Sequence, residues 1–332
     1  MFSIPLPHVT LVLAERWGLS EARIHTLAGG MTSAVWAVDH GEGRWVAKAV
    51  PAKAADEFTT GLEIAARLEQ AGFAAGAPRP TLDGQITVLV GGWVLALLRR
   101  VEGTELTGET EDDLRLIGRT LGRAHRALGA VPAGEGNWVG WDPGAQDLAV
   151  QPWVRPAVEA GIAGVERLGL ASLTWGFVHG DPAPEAFLLD AATGRCGLID
   201  WGAAQRAPLL HDLASAVMYV GGPEDAVPLI EAYCEVGMVS SAEIARGLWA
   251  ALDYRQAGQA AYFARRIAGN DLTGIDDPAE NYEGLEHARA YWLERAAAGA
   301  SQSLAGGAEV VRRGVDERAV WATADFFRRR MT

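Results

Sequence analysis

The spacing of apolar and polar positions divides this chain into a strand-rich first third and a helix-rich remainder. Residues 9–20 have the amphipathic spacing of a short helix. In residues 25–50, Val35 and Ala37 alternate with polar neighbours, a turn follows at Gly41–Gly43, and Trp45, Val46 and Ala47 resume. That pattern predicts two strands joined by a hairpin. Leu62, Ala65, Ala66 and Leu68 stand at helical spacing and predict a helix over about 54–71, stopped at Gly72. Pro78 and Pro80 punctuate a loop, and 86–90 and 93–99 form a second strand pair around Gly91–Gly92.

Beyond Gly103 the texture changes. Thr110 opens a strong helix whose first turn is acidic, where negative charge complements the helix dipole. Further helices are expected at about 211–220, 224–236, 241–268, 278–298 and 308–330, with a joint near 299–307. The interruption is 176–202, where the apolar runs FLL and GLI flank a turn at Thr193–Gly194. There is no internal repeat. Strands followed by helices, rather than alternating with them, predict an α+β chain of two lobes. The first, residues 1–101, is β-rich, and the second, residues 102–332, is mainly helical, with a connector near 98–103.

Composition narrows the function classes. The 332 residues suffice for two cores, and a formal net charge of −13 disfavours a nucleic-acid partner. No apolar run approaches the roughly 20 residues of a membrane helix, and the N-terminus lacks a basic leader. Cys196 and Cys234 have no metal-ligand spacing. A cytoplasmic location and no membrane partner are therefore expected, as a monomer or homodimer.

The segment GFVHGDPAPEAFLLDAATGRCGLIDWG carries the chemistry. Asp181 follows the strand-like FVHG, and Asp200 follows GLI and precedes Trp201–Gly202. A hairpin between them brings two carboxylates to one rim. Phosphoryl transfer uses such a pair, one to orient and deprotonate the attacking hydroxyl and one to hold Mg2+ against the phosphates. Lys48, in WVAKAV, is a point charge suited to the α- and β-phosphates, and Glu63, fifteen residues on within the predicted helix, is placed to pair with it. Gly29, Gly30, Thr32 and Ser33 form a turn between the first strands that would lie over the phosphates. No Walker A, G-x-S-x-G or H-E-x-x-H pattern occurs, which weighs against P-loop kinases, serine hydrolases and zincins.

These motifs resemble the aminoglycoside phosphotransferase family, which includes choline-kinase-like and type II homoserine-kinase-like enzymes and shares the protein-kinase fold. The resemblance spans about residues 20–270 and is most specific at 177–220. It implies a small-molecule kinase that uses ATP or GTP with Mg2+, with Asp181 as the catalytic base and Asp200 as metal ligand. It also implies that Asp212 and His179 brace the catalytic loop. The hinge would bind the base through Arg99 and Val101. The family's asparagine five residues after the catalytic aspartate is here Ala186. Glu185 as substitute ligand, a single metal ion, or a catalytically weak nucleotide-binding regulator are the alternatives this leaves. Acceptor-site candidates are Asp253, Tyr254, Arg255, Tyr262, Arg265 and Arg266, with Trp138 and Trp141 as cleft-lining aromatics. The acceptor is an antibiotic or an amino acid, sugar or other metabolite, so a role in antibiotic resistance and one in metabolism both stand.

Overall fold

The computed structural model describes residues 4–27, 33–41, 43–130, 140–275 and 277–304, and the statements below concern these. The expected helix at 308–330, Gly29, Gly30, Thr32 and Trp138 lie outside the described residues. So does the end of the joint expected at 299–307, whose first part continues a helix.

Helix α1 (Leu6–Trp17) precedes strands β1 (Arg23–Thr26), β2 (Ala34–His40) and β3 (Gly43–Pro51), then helix α2 (Ala55–Gln70) and strands β4 (Val88–Val90) and β5 (Trp93–Arg99). The five strands form one antiparallel sheet in the order β1-β2-β3-β5-β4. Alternation along β3 sends Ala47 and Ala49 to one face, where they pack with Trp36, Leu95 and Leu97 against Val9, Leu13 and Trp17 of α1. Val50, Val94 and Ala96 face the other side, where Phe58 and Leu62 of α2 cover them. Lys48 has the same parity as Val50, so it lies on the α2 side of the sheet. The sheet thus separates a closed hydrophobic face from the face that carries the chemistry.

The second lobe begins with β6 (Thr104–Glu105) and α3 (Glu111–Leu128), followed by α4 (Val154–Arg167), β7 (Trp175–Val178), β8 (Phe187–Asp190), β9 (Arg195–Leu198) and β10 (Gln205–Pro208). Helices α5 (Leu210–Tyr219), α6 (Val227–Val236), α7 (Ser241–Ala268) and α8 (Ala279–Leu304) complete it. Thr110 caps α3 by accepting from the Asp113 N–H at 3.1 Å, and Ser240 caps α7 by accepting from Glu243 N–H at 3.1 Å. β8 pairs with β9 and β6, and β7 pairs with β10. These small ladders sit in the largest core, which joins α3, α5, α6 and α7 and receives Ile64, Ala65 and Leu68 of α2. Helix α2 therefore bridges the two lobes. Strands β6 and β10 and helix α4 escaped the periodicity reading. The two strands are held by pairing with strands far off in the chain, β8 and β7, which local pattern does not record.

Candidate active site

Asp181 and Asp200 come together because β7 and the β8–β9 hairpin end on the same rim. Asp181 lies three residues beyond β7 and Asp200 two beyond β9. Between strand and carboxylate, Gly180 turns the chain at φ +90°, and a Cβ there would stand 2.3 Å from the Ala203 carbonyl oxygen. Only glycine fits that crossing. Asp200 itself adopts the left-handed region at φ +66°, which leads into a tight turn over Trp201–Ala203. Aspartate tolerates that conformation better than bulkier residues do.

The loop is pinned from beneath by Asp212, whose side chain is fully buried. Its oxygens accept from the backbone N–H groups of His179 (2.6 Å) and Gly180 (2.8 Å) and bond His125 Nε2 at 3.0 Å; His125 Nδ1 meets the Tyr233 hydroxyl at 2.9 Å. Burial pushes the Asp212 pKa up, but the His125 hydrogen bond and the neighbouring imidazoles outweigh it and hold the carboxyl below its ordinary value. His179 Nδ1 accepts from the Asp181 N–H at 3.3 Å, so its Nε2 donates to the Ile199 carbonyl at 2.7 Å. One histidine thus ties the turn bearing Asp181 to the residue before Asp200.

Lys48 does not pair with Glu63. Its Nζ is 2.5 Å from Asp200 Oδ1. The reason lies in the register of α2. Gly61 is the contact point with the Trp201–Gly202 turn, where a Cβ would meet the Trp201 carbonyl at 2.1 Å. Glu63 is two residues later, about 200° around the helix, and is exposed. Glu57 shares the Gly61 face one turn earlier. Desolvation raises the Asp200 pKa, and the Lys48 ammonium more than offsets it, so the carboxyl titrates below its ordinary range.

Glu185 lies on a short turn over Pro184–Ala186, half-buried. Burial, together with the nearby charges of Asp181, Glu105 and Asp200, raises its pKa to about 6. Ala186 is buried and offers no polar side-chain atom. Among the described residues no three side chains form a ready metal cluster.

Asp181 has partners the sequence reading did not foresee. Its Oδ1 accepts from the Tyr219 hydroxyl at 2.5 Å and from Arg255 Nη2 at 2.7 Å. Tyr219 stands seven residues after Asp212 on α5, on the same face. That spacing was the available signal.

At the hinge, the Arg99 N–H is occupied by the Ala77 carbonyl at 2.9 Å, and its guanidinium pairs with Glu69 at 2.9 Å. Arg99 is therefore an inter-element tie rather than a free base-binding amide. The Val101 N–H has no backbone partner among the described residues. Ser33 lies just before β2, at the edge of the first turn.

Most acceptor candidates are structural. Asp253 accepts from Tyr291 (2.5 Å) and, through both oxygens, from Arg295 (2.7 Å each), tying α7 to α8. Arg266 is buried and bonds Asn281, Tyr262 and the Thr273 carbonyl, which engages Tyr262 as well. Tyr254 is buried against His211, and Trp141 packs on Gly258. Arg265 pairs at 3.4 Å with Asp147 on the surface. Helices rich in charge use much of it to hold one another, and these side chains have partners within the fold.

A family model described as "Phosphotransferase enzyme family" matches residues 23–246, about two thirds of the chain. No curated protein sequence matches. Among solved structures, an amicoumacin kinase in complex with AMP-PNP, Ca2+ and its antibiotic superposes with TM-score 0.67 at 14% identity, covering 86% of this chain and 92% of that one. A microcompartment-associated aminopropanol kinase gives 0.55 at 19% identity, covering 82% and 99%. A spectinomycin phosphotransferase bound to ADP and spectinomycin gives 0.54 at 12%, covering 86% and 94%. The β-rich lobe followed by the helical lobe agrees with that likeness in fold, and the chain belongs to the phosphotransferase enzyme family, as a phosphotransferase of kinase-like fold.

Proposed function

We propose that this protein transfers the γ-phosphate of ATP or GTP to a hydroxyl of a small substrate, with Asp181 receiving the hydroxyl proton. The observation that carries this reading is that Lys48 pairs with Asp200 while His179 links the Asp181 backbone to the residue before Asp200, which sets the three on one rim between the lobes. The acceptor oxygen forms a bond to the γ-phosphorus while the bond from phosphorus to the β–γ bridging oxygen breaks. The acceptor's proton passes to Asp181 Oδ2, and the nucleoside diphosphate leaves with the bridging oxygen. Lys48 releases Asp200 to grip the α- and β-phosphates. The base sits at the hinge near Val101, with residues 1–101 as the nucleotide lobe and 102–332 as the lobe that holds acceptor and catalytic loop. The edge of the first turn, at Ser33, covers the phosphates.

Asp200 and Glu185 fit a hard divalent cation such as Mg2+, because both offer carboxylate oxygens and Glu185 sits in a field of negative charge that a cation would relieve. Such an ion supplies charge neutralisation at the phosphates when bound. Ala186 has no side-chain oxygen to offer, so from this chain Asp200 and Glu185 would hold the ion.

The acceptor we propose is a hydroxylated antibiotic or a small amino alcohol, the chemistries named for the structural neighbours, or else an amino-acid-like metabolite. We place the reaction in the cytoplasm; both cysteines are free and no described helix is long and apolar enough to cross a membrane. The test is phosphate transfer from Mg·ATP and Mg·GTP to a panel of antibiotics, amino alcohols, amino acids and sugars. Asp181→Asn should keep nucleotide affinity and lose turnover by about 10³-fold or more. Unchanged turnover would remove Asp181 from the chemistry.

A further inference from the structure

Asp181 is held at one end only. Both hydrogen bonds its carboxylate accepts among the described residues go to Oδ1, from Tyr219 and Arg255, and none goes to Oδ2. Its side chain is 51% exposed, whereas that of Arg255 is 13% exposed. A buried anchor thus grips a half-exposed carboxylate.

The anchor is itself fixed. Arg255 Nε donates to Ser215 Oγ at 3.1 Å, and Ser215 Oγ donates to the His211 carbonyl at 2.9 Å. Arg255 Nη2 also donates to the Tyr219 hydroxyl at 3.2 Å, and the guanidinium lies 5.8 Å from the Tyr219 ring centroid. Proton directions through this network are consistent: Tyr219 gives its one proton to Asp181 and accepts from Arg255. Burial and the Asp181 charge keep that phenol protonated, and the carboxylate and phenol beside Arg255 outweigh its desolvation and keep it charged. Asp212, Ser215 and Tyr219 recur at helical spacing along one face of α5, so that helix supplies both the floor of the catalytic loop and two seats for Arg255.

A buried guanidinium needs a counter-charge, and an ordinary structural pair would bury that charge with it. Here the charge is the carboxylate that faces the cleft. An aspartate so exposed, with nothing polar on Ala186 to restrain it, would otherwise rotate about its side-chain bonds.

We propose that Arg255 and Tyr219 are the positioning residues of the catalytic carboxylate, locking Asp181 by Oδ1 so that Oδ2 is presented to the acceptor hydroxyl. This rests on the reading of Asp181 as proton acceptor. It implies that a basic side chain on α7, which by sequence reads as a substrate-binding candidate, acts through another residue rather than on the substrate.

The experiment compares wild type with Asp181→Asn, Arg255→Gln, Arg255→Lys, Tyr219→Phe and the double variant Asp181→Asn/Arg255→Gln. Turnover is read as phosphate release from Mg·ATP with water as acceptor, and as transfer to whichever panel compound wild type phosphorylates. Nucleotide affinity and thermal unfolding are read alongside. Arg255→Gln should lower kcat by about 10²-fold and Tyr219→Phe by about 10-fold, with nucleotide affinity and KM for nucleotide within about threefold of wild type. Arg255→Lys, which keeps charge but not the fork, should recover only part of the loss. The double variant should be no slower than Asp181→Asn, because both changes disable one device. Folded Arg255→Gln or Tyr219→Phe within twofold of wild type would overturn the proposal, as would additive losses in the double variant. Tyr219→Phe decides if Arg255→Gln does not fold, since it deletes one hydroxyl. Unfolding supplies an acceptor-independent arm: Asp181→Asn and Arg255→Gln should be non-additive in stability, and additivity would deny the contact. Wild-type turnover in Asp181→Asn would instead sink the proposed role of Asp181.

Discussion

Lys48 Nζ and Asp200 Oδ1, on opposite lobes, lie 2.5 Å apart, so the lysine proposed to grip phosphate and the carboxylate proposed to hold metal pair with each other across the cleft. Lys48 thus pairs with Asp200 rather than with the exposed Glu63. Lys48→Met should raise KM for the nucleotide and cut kcat by at least about tenfold, while Glu63→Gln should stay within about twofold of wild type. Steady-state kinetics with varied ATP decides between them, and a large loss in Glu63→Gln would restore the helix glutamate as the partner.

Gly180 is the tightest backbone position in the catalytic loop. A methyl group there meets the Ala203 carbonyl at 2.3 Å in a backbone conformation that L side chains rarely adopt. Gly180→Ala should destabilise the protein by about 2–4 kcal/mol and misplace Asp181, so turnover falls by more than the population of folded protein. Urea unfolding together with kcat per folded molecule measures both.

Asp253 ties α7 to α8 through Tyr291 and Arg295, and we predict that this strut role, rather than acceptor binding, is what its loss would reveal. Tyr291→Phe should cost about 1 kcal/mol and Asp253→Ala about 2–3 kcal/mol, the latter because Arg295 loses its counter-charge in a partly buried setting. KM for the acceptor should not change in either. A KM increase in Asp253→Ala without loss of stability would return it to the binding site.

His211 makes stability depend on pH. Burial, with a smaller contribution from the Arg255 charge and only partly offset by Asp212, lowers its pKa from 6.5 to about 4. The folded state therefore binds this proton more weakly than the unfolded state does. Its contribution is whole above about pH 6.5 and is lost progressively as pH falls toward 4, by an amount on the order of 3 kcal/mol. Glu185 acts in the same interval with the opposite sign: its pKa is raised from 4.5 to about 6, so stability is lost as pH rises between those values. Unfolding free energies measured from pH 4 to 7 should show the acid-side decline, and His211→Gln should flatten it. A profile unchanged by that substitution would assign the decline to other groups.

The chain by itself determined the order of most elements and the two-lobed class, and it named the two aspartates of the candidate rim. These follow from periodicity over ten or more residues and from short motifs whose turns and carboxylates are consecutive. Thr110 announced its helix, and HGD with IDWG announced the loops, because the interactions involved are local. Tertiary structure alone decided who pairs with whom. Glu63 and Lys48 were fifteen residues apart and plausible partners, yet the close approach of Gly61 to Trp201 rotates Glu63 to the surface. Asp253 and Arg266 were polar and on the right helix, yet α8 and the loop before it consume them. Arg255 and Tyr219 reach Asp181 from helices α7 and α5, over separations of 74 and 38 residues. Side-chain pairing at that range depends on helix rotation and packing distance, and those are properties of the folded core rather than of any local run of residues.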